Sequence, residues 1–322
     1  MTIPARLHFV WIGTTIPWAY VFAVLSAVEH SELTEIVFHH TDILESGHEL
    51  NAISNAPRVR VSRIDPYACL TQTGHELGLG EALVALYRRL EDPVMRSDVL
   101  RAAILYSCGG IYLDLDTVTV ASLLPLTTLH HFVGSEVIVW PSFVRVSRSP
   151  ALWARHLTLD VVRKVFRRMP NGWKAFRHIE RFYTRGINNA VMGAEVNSCL
   201  FSDYLHAMIL LSPERQAQRY ALGPKLLQEV VDRYKNDDLT IHDPSVFYPL
   251  APEISEHWFR VIRPVLLNTV LSSETRVVHW YASVRTRSLV TQITPAYVRE
   301  NRGQQLYSAL VCSCVSKLPE AA

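Results

Sequence analysis

No apolar run in this 322-residue sequence approaches the ~20 residues that a membrane-spanning helix needs. Cysteine is sparse: Cys69, Cys108, Cys199, Cys312 and Cys314 form an odd, scattered set that implies no disulfide framework. Cys312 and Cys314 have no second Cys or His pair at zinc-site spacing and read as core-facing residues of a terminal helix. Charge of one sign is nearly lacking too, since a net +2 with a pI near 8.3 is too mild to argue for nucleic acid. The first residues show no charged stretch followed by an apolar one, the pattern of a secretory signal. Internal repeats and low-complexity tracts are missing as well. A cytoplasmic protein is the expectation these absences leave.

What is present is enough apolar residue for a large core: 49% hydrophobic and 19% charged, with mean hydropathy +0.10. His8, Val10 and Ile12 alternate with Phe9 and Trp11 up to Gly13 and Pro17, which predicts a first strand and a loop. Residues 19–29 read as a helix, 35–40 and 59–64 as strands, and 77–90 as one amphipathic helix. Such alternation predicts a three-layer α/β/α sandwich around a mainly parallel sheet. A single domain over 1–322 is expected, in two halves, 1–120 and 121–322. His39 and His40 are consecutive strand residues, so one should face a packed layer and the other away; both read as structural.

The stretch 97–116 organises the rest. Val99, Leu100, Ala103, Ile104 and Tyr106 recur at helical spacing, and Gly109-Gly110 supplies a left-handed stop. Ile111-Tyr112-Leu113 follows as a short buried strand that ends on Asp114 and Asp116. Two carboxylates so close raise one another's pKa unless a cation compensates, and hard oxygen donors suit Mg²⁺ or Mn²⁺. A divalent ion that keeps open positions bridges to phosphate oxygens, so a diphosphate substrate is the next inference. Asp98 and Arg101 stand at i,i+3 on one helix face. An ordinary surface ion pair, worth roughly 0 to 1 kcal/mol, is the alternative for them.

Further along, 132–140 reads as a strand, and 157–186 carries Arg163, Lys164, Arg167, Arg168, Lys174, Arg177, Arg181 and Arg185 with interleaved aromatics. It is either a solvated helical face or a surface for an anionic membrane or acceptor. Asn188-Asn189 opens an apolar run, Gly223-Pro224 looks like a helix start, and 276–280 is a strand bringing His279 to its end with Ser283 four residues later. A neutral imidazole can ligate a metal; a buried His bonded to a carbonyl is the competing reading.

The 97–116 pattern resembles the DXD-motif sugar-nucleotide glycosyltransferases, the family of clostridial glucosylating toxins, fungal initiating mannosyltransferases and alpha-1,4-galactosyltransferases. Leu7 to Gly13, Asn188-Asn189, Gly223-Pro224, Phe247-Tyr248-Pro249 and Val278-His279-Trp280 extend the resemblance along the chain. It implies a GT-A-type fold and a retaining transfer of a hexose or N-acetylhexosamine from a UDP-sugar, with Mn²⁺ or Mg²⁺, to a glycan, glycolipid or protein acceptor. Asp98, Arg101, Asp114 and Asp116 are then the catalytic candidates. Trp11, Tyr112, Asn189 and Gly223 are the donor-binding candidates, with Trp11 stacking on uracil. Asp116, Asp114, His279 and Ser283 would serve the metal, although the toxins place an acidic residue and a serine where His279 and Ser283 stand. Peripheral contact with an anionic membrane through 157–186, on the inner membrane face, is a further expectation.

Two rivals stand beside this reading. Asp114-Leu115-Asp116-Thr117-Val118 also meets the D-x-D-x-[TV] pattern of haloacid-dehalogenase-type phosphatases, with Asp114 as nucleophile. Its position far from the start of the chain, and the want of a late Asp pair ending an apolar strand, count against it. The other is a non-catalytic sugar-nucleotide-binding module, against which the intact Asp98, Arg101, Asp114 and Asp116 argue.

Overall fold

A computed structural model describes residues 2–319 apart from 217, 219 and 285. Its strands are β1 (Arg6–Trp11), β2 (Glu35–His40), β3 (Val59–Arg63), β4 (Gly110–Leu113), β5 (Thr117–Thr119), β6 (His131–Ile138), β7 (Thr184–Ala194), β8 (Leu239–His242) and β9 (Val277–His279). Seven of them form one sheet in the order β3-β2-β1-β4-β7-β6-β8, and within it only β7 runs against its neighbours. The carboxyl ends of the other six therefore share one edge, where open α/β sheets place ligands.

Apolar cores lie on both faces of this sheet, as three layers require. Phe9, Phe38, Leu113 and Trp280 belong to one and Val10, Leu100, Tyr112 and Met192 to the other. The adjacent residues Phe9 and Val10 fall on opposite sides because side chains alternate along a strand. The expected α/β/α architecture is thus observed.

Burial on both faces also corrects the reading of the histidine pair. His39 and His40 are both buried. His39 Nε2 lies 2.9 Å from His8 Nδ1, and His8 Nε2 lies 3.0 Å from the Gly109 carbonyl. Burial pushes His8 and His39 down to about 3, so both are neutral partners inside the sheet layer. His40 instead turns its Nδ1 to the carbonyl of Asp42 at 2.7 Å.

The helix that carries Asp98 and Arg101 runs Pro93–Cys108, starting before the first residue of the apolar spacing, Val99. Asp92 caps it by accepting the Val94 N–H at 2.9 Å, and Pro93 fits the first turn, where no amide partner is needed. Gly109 and Gly110 both take positive φ, and a Cβ on Gly110 would stand 2.8 Å from the Arg6 carbonyl. The helix therefore passes directly into β4 beside β1.

Of the helix expected over 77–90 only Ala82–Arg89 is helical, because Gly78 and Gly80 adopt positive φ before it; a separate helix, Pro66–Glu76, precedes that turn. The strand expected over 132–140 spans His131–Ile138. Residues 157–186 divide among helix Pro150–Arg168, helix Gly172–Ile179 and the start of β7. In helix Leu306–Cys314, Cys314 is buried and Cys312 half-buried, and all five cysteines are free.

Candidate active site

Chain geometry brings the site together in two steps. β4 ends at Leu113 and the chain leaves the main sheet, so that β5 pairs antiparallel with β9 in a small second sheet. Thr117 faces His279 in that register, one residue beyond Asp116. The other step is the reversed strand β7, which pairs with β4; the Asp114 N–H donates to the Ala190 carbonyl at 2.8 Å. Asn188 and Asn189 thereby reach the same strand ends.

Asp116 is held on both carboxylate oxygens. Its Oδ1 lies 2.9 Å from His279 Nε2, and its Oδ2 accepts the Ala282 N–H at 2.7 Å. The Trp280 N–H donates to its carbonyl at 3.0 Å. Tyr281, between these two amides, takes φ 60°, a left-handed conformation costly for an aromatic residue. That turn aims the Ala282 amide back at Asp116. Tyr281 is itself tied down, its hydroxyl donating to Glu136 Oε2 at 2.8 Å.

Asp114 is shared with the helix. Its Oδ1 lies 2.9 Å from Arg101 Nη1 and accepts the Tyr112 hydroxyl at 2.7 Å. Arg101 is buried and stacks over the Tyr112 ring with 4.7 Å to the centroid. It also donates to the Asn189 carbonyl at 3.0 Å and, through Nη2, to Ser97 Oγ at 3.2 Å. Asp98, buried beside it, accepts from Asn189 Nδ2 at 2.8 Å and lies 3.5 Å from Arg101 Nη2. Gly223 closes this corner: a Cβ there would stand 2.8 Å from Asp98 Oδ2 and 3.1 Å from Asn189 Nδ2. Residues from five segments thus make one buried polar network.

The charges are not balanced within it. Burial favours a neutral Asp98, and despite Arg101 and Asn189 its pKa rises to about 6. Burial raises Asp114 as well; Arg101 offsets this and the neighbouring Asp116 adds to it. Burial likewise opposes ionisation of Asp116 and His279, but their mutual attraction outweighs it, lowering the acid and raising the imidazole. One ligand atom each from Asp114, Asp116 and His279 lies within 4.8 Å of the others. Two carboxylates and one imidazole form a donor set that suits Mn²⁺ or Mg²⁺, and the opposing charge such an ion supplies is what this cluster lacks.

Ser283 is exposed in the turn after Ala282, whose amide, with His279, holds the Asp116 carboxylate. Trp11 ends β1 with its indole against Tyr20, centroids 5.3 Å apart, and Tyr20 in turn stacks on Trp280. A cavity of about 520 Å³ opens at the ends of β1, β2 and β3, lined by Ile12, Asp42, Arg63, Tyr67, Tyr87 and Arg96. The residue beside Trp11, not its ring, faces that space.

Sequence reasoning missed Glu136 and Tyr281, and named Tyr248 only within a segment of the resemblance and with no role. Glu136 was visible as a lone acid in an apolar strand. Tyr248 packs edge-on to His279 at 5.8 Å, and the ring of Tyr281 lies 4.1 Å from that imidazole. Aromatic residues next to a candidate ligand were a weak signal, since most such rings are core.

Of the eight basic residues in 157–186, most are spoken for. Arg163 is buried between Asp160 and Glu253, Lys164 pairs with Asp160 at 2.7 Å, and Arg167 lies 3.5 Å from Glu256. Arg177 donates to the Thr269 and Val270 carbonyls, and Arg185 pairs with Asp243. The segment is therefore no open row of cations. Among the described residues no helix is long and apolar enough to cross a membrane.

No curated protein matches the chain. Among solved structures, the PaToxG glycosyltransferase is 16% identical with a TM-score of 0.46, over 72% of this chain and 69% of its own. The galactosyltransferase LgtC, in complex with donor and acceptor sugar analogues, is 13% identical with a TM-score of 0.44, over 98% and 97%. Mouse xyloside xylosyltransferase 1 is 14% identical with a TM-score of 0.45, over 86% and 98%. These likenesses are too distant to carry function. Residues 67–133, which include Asp98, Arg101, Asp114 and Asp116, match the family model of the glycosyltransferase sugar-binding region containing a DXD motif, and it is through this region that the chain resembles the DXD-motif glycosyltransferases.

Proposed function

We propose that the protein is a metal-dependent, retaining glycosyltransferase that moves a hexose or N-acetylhexosamine from a UDP-sugar to a glycan, lipid or protein acceptor. The observation that supports it most is the convergence of Asp114, Asp116 and His279 at strand ends, within a segment matching a DXD sugar-binding region. These three residues would hold Mn²⁺ or Mg²⁺, Asp116 directly and Asp114 through water, or with Asp114 on the ribose instead. When bound, the ion would neutralise charge growing on the departing diphosphate, an effect worth several kcal/mol.

The chain's own groups do the rest. Arg101 is enclosed by Asp114, Ser97 and the Asn189 carbonyl, so its role in this proposal is to fix the Asp114 carboxylate and the β7 backbone. Asp98 fixes the Asn189 amide against Gly223, whose missing side chain lets these two groups press against its backbone. The nucleoside would lie along the strand ends, between Trp11 and the cavity beside Ile12, where Asp42, Arg63 and Tyr67 offer polar and flat surfaces. Retention rests on the family resemblance, with the acceptor hydroxyl attacking on the face from which UDP departs.

The test is UDP release from UDP-Glc, UDP-Gal and UDP-GlcNAc, with GDP-Man as the mismatched nucleotide, in the presence of Mn²⁺. Wild type should release UDP from a matched donor, and Asp116→Ala or chelation should abolish it. Unchanged turnover by Asp116→Ala would reject the metal assignment. Hydrolysis of p-nitrophenyl phosphate without any UDP release would favour the phosphatase reading.

A further inference from the structure

Helix Pro150–Arg168 packs on the molecule through His156, Asp160 and Arg163, all buried. Its opposite face is apolar where a surface helix is usually polar. Trp153, Leu157, Val161 and Val165 follow one another at i,i+4 spacing and are all exposed, Leu157 at 56%. The short helix Ser142–Val146 just before it adds Phe143 and Val146, the latter 83% exposed. The Trp153 N–H donates to the Ser147 carbonyl at 3.0 Å, which locks the two helices into one surface.

The exposed charges that residues 142–168 contribute here are basic. Arg145, Arg148 and Arg168 are exposed, as is Arg155, which also donates to the Phe182 carbonyl at 3.1 Å. The only acid between residues 137 and 179 is Asp160, which is buried inward against Arg163 and Lys164. A 19-residue helix is about 28 Å long, so the apolar row and its arginines form an extended strip. Scattered exposed apolar residues need no explanation, but a continuous strip rimmed by cations does.

We propose that this face is the docking surface for an anionic phospholipid membrane. Aliphatic side chains and Trp153 would enter the headgroup boundary while the arginines reach phosphate oxygens, the division of labour of an interfacial helix. A second copy of this chain is a poor occupant, because an isologous contact would bring two all-cationic faces together. The strip also adjoins the candidate site. β6 runs in the direction of β4, so Ile138 ends at the Asp114 edge and the Ser142–Val146 helix follows at once. An acceptor carried at the bilayer surface would meet the rim of the site. The surface overlaps the start of the 157–186 segment but rests on its exposed apolar row and the preceding helix, and its evidence does not depend on sugar transfer.

Sedimentation with phosphatidylcholine vesicles, with and without phosphatidylserine, tests the surface without any turnover measurement. Wild type should sediment with phosphatidylserine vesicles at low salt and be released at high salt. Leu157→Glu/Val161→Glu should weaken this partitioning by about tenfold or more. Leu210→Glu, at an apolar residue 84% exposed on another helix, should leave it unchanged. Wild type remaining in the supernatant, equal binding to neutral vesicles, or undiminished binding by the double variant would each overturn the proposal. So would capture of polyglutamate in place of vesicles, which would point to an acidic protein. Should the double variant not fold, vesicles with brominated acyl chains serve instead: quenching of tryptophan fluorescence that falls in Trp153→Phe supports the surface, and quenching identical in both rejects it.

Discussion

Two charge-dense regions of this protein look alike in composition and differ in their accounts. Around Asp160, three acids (Asp160, Glu253 and Glu256) face three bases (Arg163, Lys164 and Arg167). Around Asp114, the three acids Asp98, Asp114 and Asp116 face one guanidinium and one imidazole. The balanced set is a structural clamp between a helix and the 252–258 turn. The unbalanced set keeps negative charge at a strand edge, a state that folding alone does not favour and that a bound cation would relieve. Residual charge, rather than charge density, is what separates the proposed ligand site from a buried ion network here.

Removing the central arginine from each region should break the likeness most clearly. Arg101→Ala leaves Asp98 and Asp114 without their guanidinium and should cost about 3–5 kcal/mol in denaturant unfolding; Arg163→Ala leaves Asp160 with Lys164 and should cost less, about 2–3 kcal/mol. Only Arg101→Ala should also remove UDP release from the fraction that folds. Equal loss of turnover in both variants would erase the distinction.

A smaller effect should come from pH. Asp98 has its pKa raised to about 6 in the folded protein, against an ordinary value near 4 when unfolded. The folded state therefore holds this proton more tightly, and the stability it confers is complete below the unfolded pKa and lost as pH climbs through about 6. Asp98→Asn has no such proton to lose. The stability of Asp98→Asn relative to wild type should thus rise by about 2 kcal/mol between pH 4 and pH 7. A difference that is flat with pH would mean that Asp98 stays ionised throughout.

The smallest effect belongs to the pair at the open end of β7. Arg185 and Asp243 are bonded, but their side chains are 60% and 63% exposed. Arg185→Ala should change stability by less than about 1 kcal/mol, and high salt should shrink even that. A loss as large as that of Arg163→Ala would show that exposure does not rank these ion pairs.

Local pattern made much of the site legible. Asp98 and Arg101 share a helix face at i,i+3, and a strand too short to hide its end delivers Asp114 and Asp116; both relations are fixed by neighbours in the chain. The Gly109-Gly110 stop was equally readable, because few other residues accept those backbone angles. The break at Gly78 and Gly80 was not, since apolar spacing continues across it. Glu136 was overlooked for a related reason: a single acid in a strand does not say which face it occupies or what waits there.

Sequence by itself determined the alternation of strands and helices, the two-sided apolar strands that need a three-layer fold, and the clustering of acids at one strand end, because each follows from periodicity over a few residues. Tertiary structure decided the rest. His279 meets Asp116 across 163 positions only because β5 leaves the main sheet and pairs with β9 in one register. The basic residues of 157–186 would have the same composition whether they faced water or carboxylates. Which of these holds depends on where Glu253 and Glu256 are brought by packing, and that contact between distant segments has no local signature.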